Sequence, residues 1–183
     1  VFNCRQPQKR AAPNWSQAKV LSSLRRAPYE PLGNAGFKWV SLKTTFLFAI
    51  TSACRCSDLA RFGFENPYLR FVNSTEGVRL TQRVLKKQCR PGHQLTESFI
   101  GRYEKDRRLD PIRCLKIYLK RSKERRKHDG LFITFGKGKR VGQNASSQTI
   151  SKWIVEVIKR ANPGAENVTG HSTRTMSTSK ALQ

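Results

Sequence analysis

Acidic residues are scarce in this sequence: 12 Asp and Glu stand against 36 Lys and Arg, a formal net charge of +24 over 183 residues. A chain so charged repels itself, which opposes compaction, so the excess calls for a polyanionic partner. Nucleic acid is the first such partner. An anionic membrane surface is a distant second, because no basic amphipathic helix stands apart from the core pattern. Long apolar runs are also missing, so no membrane span is expected, and the first residues lack the shape of a signal peptide. An intracellular, nuclear setting is the expectation. No Cys-x-x-Cys pair occurs among Cys4, Cys54, Cys56, Cys89 and Cys114, and His93, His128 and His171 lack finger-like spacing. That argues against a structural zinc site and for reduced thiols. The glycine-rich stretch from Gly136 to Gly142 lacks the Gly-x-x-x-x-Gly-Lys-Ser/Thr pattern, which excludes a nucleotide-binding P-loop. Neither metal nor small-molecule cofactor is therefore expected, and no internal repeat occurs.

What is present is a globular pattern. Hydrophobic residues make up 37% and fall in short periodic runs. Residues 1–13 (VFNCRQPQKRAAP) read as a flexible basic leading segment or linker, and 14–183 as one domain. A first helix is expected from Trp15 to about Arg26, with Asn14 as its cap and Pro28 as its stop. From Ser41, the residues Leu42, Phe46, Ala49, Ile50 and Ala53 recur at helical spacing. Ser57 looks like the cap of a short helix after it. Strands are expected at Tyr68 to Val72, Val78 to Leu85 and Glu97 to Ile100, with a hairpin turn at 73–77 and an exposed basic turn around Lys86 and Lys87. In the second strand Val78 and Leu80 alternate with Arg79 and Thr81, and Arg83 continues a basic face.

Asp110 and Pro111 open a helix carrying Ile112, Leu115 and Leu119, which leads into the charge run KRSKERRKHDG, read as a solvated helix end. Leu131 to Phe135 reads as a short strand. After it, Lys137, Lys139 and Arg140 on the glycine-rich loop suit a grip on a nucleic-acid backbone. Ser146 or Ser147 caps a last clear helix with Ile150, Trp153, Ile154, Val157 and Ile158 on its core face, Trp153 being core rather than a base-stacking platform. The expected fold class is α+β: a mostly helical domain with a small antiparallel β-sheet at one edge.

Two short segments carry chemistry. Arg55 stands at a helix junction, either as a surface cation or as one held in place for use. His171 and Arg174, three residues apart, either converge on one anion or mark a helix start capped by Ser172 or Thr173.

Cys54-Arg55-Cys56-Ser57-Asp58-Leu59 resembles the first arginine box of the tyrosine recombinases, Arg-x-Ser-Glu-Leu, with aspartate in place of glutamate. Gly170-His171-Ser172-Thr173-Arg174 resembles the His-x-x-Arg box of the same family. Further stretches, among them Pro13-Asn14-Trp15-Ser16, Leu42-Lys43-Thr44 and Thr149 to Ile154, are similar to recombinases of eukaryotic mobile elements, notably DIRS-type retrotransposons and cryptons. The resemblance spans roughly residues 13–183 and implies the tyrosine-recombinase catalytic fold. It implies metal-free DNA strand cleavage and rejoining through a 3′-phosphotyrosyl intermediate, and DNA integration. On its terms Arg55 and Arg174 clamp the phosphate, and His171 bonds a phosphoryl oxygen. Lys87, or in its place Lys86, protonates the leaving oxygen, and Asp58 supports the site. Lys86, Arg83, Lys137, Lys139, Arg140 and Lys152 are the further DNA-binding positions. Double-stranded DNA is the implied partner, with a homo-oligomer assembled on it left open. The family's nucleophilic tyrosine follows the His-x-x-Arg box, whereas Tyr29, Tyr68, Tyr103 and Tyr118 all precede it. As it stands the chain is expected not to complete cleavage. Two other readings stay open: a non-enzymatic DNA-binding module domesticated from a mobile element, and a basic RNA-associated protein.

Overall fold

A helix buried on nearly every side organises the chain. In the computed structural model, which describes residues 14–72, 77–83 and 97–174, helix α2 (Phe37–Ser52) is buried without a break from Val40 to Ala49. A helix buried all round needs partners on several sides. It packs against α4 (Pro111–Ser122) and α5 (Ser147–Ala161), while α1 (Gln17–Leu24) lies on α5. Ile150, Trp153, Ile154, Val157 and Ile158 form the buried face of α5, each such side chain contributing about 1.5–3 kcal/mol gross.

The sheet is antiparallel, in the order β1 (Leu69–Val72), β2 (Gly77–Thr81), β3 (Glu97–Gly101). Leu69 pairs with Leu80, and Val78 with Ile100, all four buried, while Arg79 opposite Phe99 is exposed. β3 rests against α2 and α4, which seats the sheet beside the helices. No described helix is long and apolar enough to cross a membrane.

Several boundaries differ from the sequence expectation, each for a local reason. α1 is capped by Ser16, whose hydroxyl accepts the Lys19 N–H, rather than by Asn14. Asn14 instead bridges to Glu166. α2 begins at Phe37, four residues before Ser41, because Gly36 provides the extended turn that starts it. β2 ends at Thr81, and Gln82 makes an isolated bridge with Phe62. The strand expected at Leu131 to Phe135 is absent. Leu131, Phe132 and Ile133 are buried in succession instead of alternating. Their amides and carbonyls go to scattered partners: the Leu131 N–H to the Phe62 carbonyl at 2.7 Å, and the Ile133 N–H to the Tyr118 hydroxyl at 2.8 Å. The Asp110 cap with Pro111 is observed as expected, its carboxylate accepting the Ile112 N–H at 2.9 Å.

Candidate nucleic-acid interface

The geometry of the arginine box begins where α2 stops. Ala53 takes φ 50°, the left-handed region, at the helix C-terminus. For a residue with a Cβ this costs about 1–2 kcal/mol, a local strain that the flanking helices hold. The chain turns there and starts α3 (Cys56–Leu59), with Arg55 at the N-cap and exposed. Ser57 is therefore inside the helix rather than its cap. Asp58 is 8% exposed, and its carboxylate accepts the Arg55 N–H at 3.3 Å, so it braces the backbone of Arg55.

The histidine box is a tight turn held by reciprocal bonds. The Thr169 hydroxyl accepts the His171 N–H at 3.3 Å, and the Ser172 hydroxyl accepts the Thr169 N–H at 2.9 Å. This is capping-box logic, with Thr169 in the role expected of Ser172 or Thr173. Ser172 and Thr173 are buried, whereas His171 and Arg174 face solvent, and the Arg174 N–H closes on the His171 carbonyl at 3.0 Å.

The two boxes, more than a hundred residues apart in sequence, touch. The Cys56 thiol donates to the Gly170 carbonyl at 3.3 Å. Burial pushes that thiol above its ordinary value, so it stays protonated and able to donate. Gly170 fits for a steric reason: a Cβ there would lie 2.4 Å from Ser151 Oγ and 2.7 Å from Cys56 Sγ. Only a residue without a side chain lets the histidine turn sit on both α3 and α5.

Between these elements opens a cleft of about 450 Å³, lined by Ser57, Ser147, Gln148, Lys152 and His171, with Cys56 and Ser151 at its wall. Ser147 and Gln148 are the first residues of α5, where unpaired amides and the helix dipole favour an anion. Among the described residues no acidic side chain lines it. An imidazole, an ammonium, hydroxyls and a helix N-terminus thus converge, which suits one phosphate group. Arg55 and Arg174 flank the cleft by sequence, one residue before Cys56 and three after His171, but do not line it.

The remaining expected residues divide. Lys137, Lys139 and Arg140 are exposed on the glycine-rich loop, whose Gly136, Gly138 and Gly142 all have positive φ. Phe135, at its base, stacks on Trp153 of α5 at 4.8 Å, and Trp153 is 6% exposed, a core residue. Arg83 departs from the open basic face expected of it: its guanidinium pairs with Asp129, and its side chain is 16% exposed. Lys86 and Lys87 lie outside the described residues. Cys54, Cys56 and Cys114 are free thiols, and among the described residues no group of His, Cys, Asp or Glu is arranged to hold a metal ion. Sequence reasoning missed Cys56, Thr169, Gly170 and Ser151 as the pieces that fasten the site. The Thr169-x-x-Ser172 spacing was the available signal.

Comparison with known proteins found no match: no family model, no curated protein and no solved structure matches the chain.

Proposed function

We propose that this chain is the phosphate-binding catalytic domain of a tyrosine-recombinase-type enzyme, acting on duplex DNA in the nucleus of its host. The observation that carries the reading is the contact between the two boxes, made through Cys56 and Gly170, beside a cleft lined by His171 and Lys152 with no carboxylate among its described residues. In this reading the cleft holds the scissile phosphate. His171 donates to a phosphoryl oxygen, and Arg55 and Arg174, neighbours in sequence of cleft residues, offset the charge that develops there. Lys137, Lys139 and Arg140 hold the flanking backbone, and Lys86 or Lys87 protonates the leaving oxygen. The nucleophile is a tyrosine supplied from outside this sequence. Tyr29 and Tyr118 do not suit that role, since burial pushes both phenols up to about 12.

The second reading, a DNA-binding module without strand cleavage, uses the same cleft and cations and needs no nucleophile. One measurement tests the phosphate site, and a second separates the two readings. Duplex affinity of Arg55→Gln and Arg174→Gln is expected to fall by about tenfold or more each, as for loss of a charge-assisted bond of about 1.5–3 kcal/mol. Unchanged affinity in both variants overturns the phosphate site. A nicked suicide substrate, mixed with a chain extended to include a downstream tyrosine, traps a covalent 3′-phosphotyrosyl adduct if the enzyme reading holds, and none if the module reading does.

A further inference from the structure

A second group of cations lies at the far end of α5. There a cleft of about 380 Å³ is lined by Lys19, Ser22, Ser23, Arg26 and Arg160, with no carboxylate of the described residues on its wall. Lys19 comes from the first turn of α1, Arg26 from the turn that ends α1, and Arg160 from the last turn of α5. All three are exposed, and none pairs with a carboxylate among the described residues. The Arg160 guanidinium lies over the Trp39 ring at 4.7 Å, which orients it without neutralising it. Arg26 and Arg160 have an ordinary explanation, since cations near helix C-termini complement the dipole. Lys19 has none, because a cation in the first turn of a helix is disfavoured by the same dipole. Two serine hydroxyls between the three charges complete a wall of donors.

We propose that this cleft binds a backbone phosphate of duplex DNA, as a second anchor for the polyanion engaged by the His171 cleft. The proposal rests on the reading of the chain as a DNA binder. Gln148 in the first cleft and Arg160 in the second are twelve residues apart on α5. At about 1.5 Å per residue that is about 18 Å. Phosphates of one strand advance about 3.4 Å per step along a duplex while winding about its axis, so a separation of this size falls within a single turn. A duplex is long enough to cover that distance, and because twelve residues at about 3.6 per turn set the two positions about 120° apart around α5, it does so by passing around the helix.

The test compares the salt dependence of duplex binding in the wild type, in Lys19→Gln/Arg26→Gln/Arg160→Gln, and in a control with the same charge change at Lys120, Lys123 and Lys127. The duplex is long enough to span both clefts. A log–log slope shallower than the wild type by about 0.9 per lost contact, about 2.7 for the triple variant, with the control near wild type, supports the anchor. The double Lys19→Gln/Arg26→Gln leaves the Trp39 stack intact and is expected to lose about 1.8, so instability of the triple variant does not stall the test. A triple variant with the wild-type slope, or a control that falls equally, overturns the second anchor while leaving DNA binding in place. Wild-type protein that binds no duplex overturns both.

Discussion

The molecule uses lysine and arginine in two opposite ways. Inside, Lys43 on α2 is fully buried, and its ammonium bonds the Glu30 carboxylate at 2.6 Å and the Leu24 carbonyl at 2.8 Å. Arg113 on α4 reaches the same carboxylate at 2.9 Å, and the Leu32 N–H donates to its other oxygen at 2.8 Å. Around the His171 cleft Lys152 and His171 are exposed, and no carboxylate of the described residues lines the wall. A cation whose charge is met inside the protein builds the fold. One whose charge is left for the outside is available to a ligand, and with 12 acids for 36 bases most fall in the second group.

Breaking the inner region gives the largest expected effect. Glu30→Gln strands the buried Lys43 ammonium and is expected to cost about 3–5 kcal/mol of stability, read by chemical denaturation. Lys43→Met/Glu30→Gln, which removes both charges, is expected to recover much of that loss. The network also predicts a pH dependence. Burial alone would raise the Glu30 carboxyl, but the bonds from Arg113 and Lys43, and the Leu32 N–H, outweigh it and hold it below its ordinary 4.5. A carboxyl with a depressed folded-state value contributes stability that is fully present above its unfolded value and lost as pH falls through the folded one. The wild type should therefore weaken below about pH 4.5 along a limb that Glu30→Gln lacks. By contrast Lys152→Gln, on the cleft, is expected to change stability by no more than about 0.5 kcal/mol. A costly Lys152→Gln would erase the distinction.

Gly170→Ala comes next and tests where the two regions meet. The added Cβ would press on Ser151 and Cys56, and such overpacking costs about 1–3 kcal/mol. Because Gly170 precedes His171, the turn should shift and duplex affinity should drop with stability. Cys56→Ser keeps a donor for the Gly170 carbonyl and is expected to hold affinity near wild type. A Gly170→Ala protein that loses stability but keeps full affinity would detach the histidine turn from binding.

How much of this the sequence reveals depends on which interactions set each feature. Elements fixed by local rules were legible: Asp110-Pro111, the apolar face of α5 and the alternation of Val78, Arg79 and Leu80 all follow from capping and periodicity. The two boxes were legible as motifs, and their junction was not. Nothing local says that Cys56 will donate to Gly170, or that Ser151 will fill the space where a Cβ would be. Lys43 was hidden for a similar reason. Within a helix pattern a lysine reads as surface, and only tertiary packing on all sides of α2 buries it. Leu131 to Phe135 reads as a strand because apolar runs suit strands and buried coils alike, and the partner that decides, Tyr118, is on another element.

A smaller test separates a helix cap from an anion ligand. The Ser146 hydroxyl accepts the Thr149 N–H at 3.2 Å, at the end of α5 that opens on the cleft. Ser146→Ala is expected to cost about 1 kcal/mol. It frees an amide in the first turn, so duplex affinity should hold while stability falls, the reverse of the pattern expected for Arg174→Gln.

The smallest expected effect checks that outward cations with a partner behave as ordinary surface pairs. Arg25 Nε lies 2.6 Å from the Asp106 carboxylate, with the arginine side chain 36% exposed. The Arg25 bond, and then the Arg108 N–H, lower the Asp106 carboxyl to about 2. Arg25→Gln should cost only about 0.2–1 kcal/mol at neutral pH, because solvent screens the pair. The sign follows from the depressed value: the difference between wild type and Arg25→Gln is present above the ordinary 3.8 and fades as pH falls toward about 2. Denaturation at pH 7, 4 and 2 measures it. A difference that persists at the lowest pH would mean that Arg25 acts through packing rather than charge. It would then belong with Lys43, among the cations that build the fold.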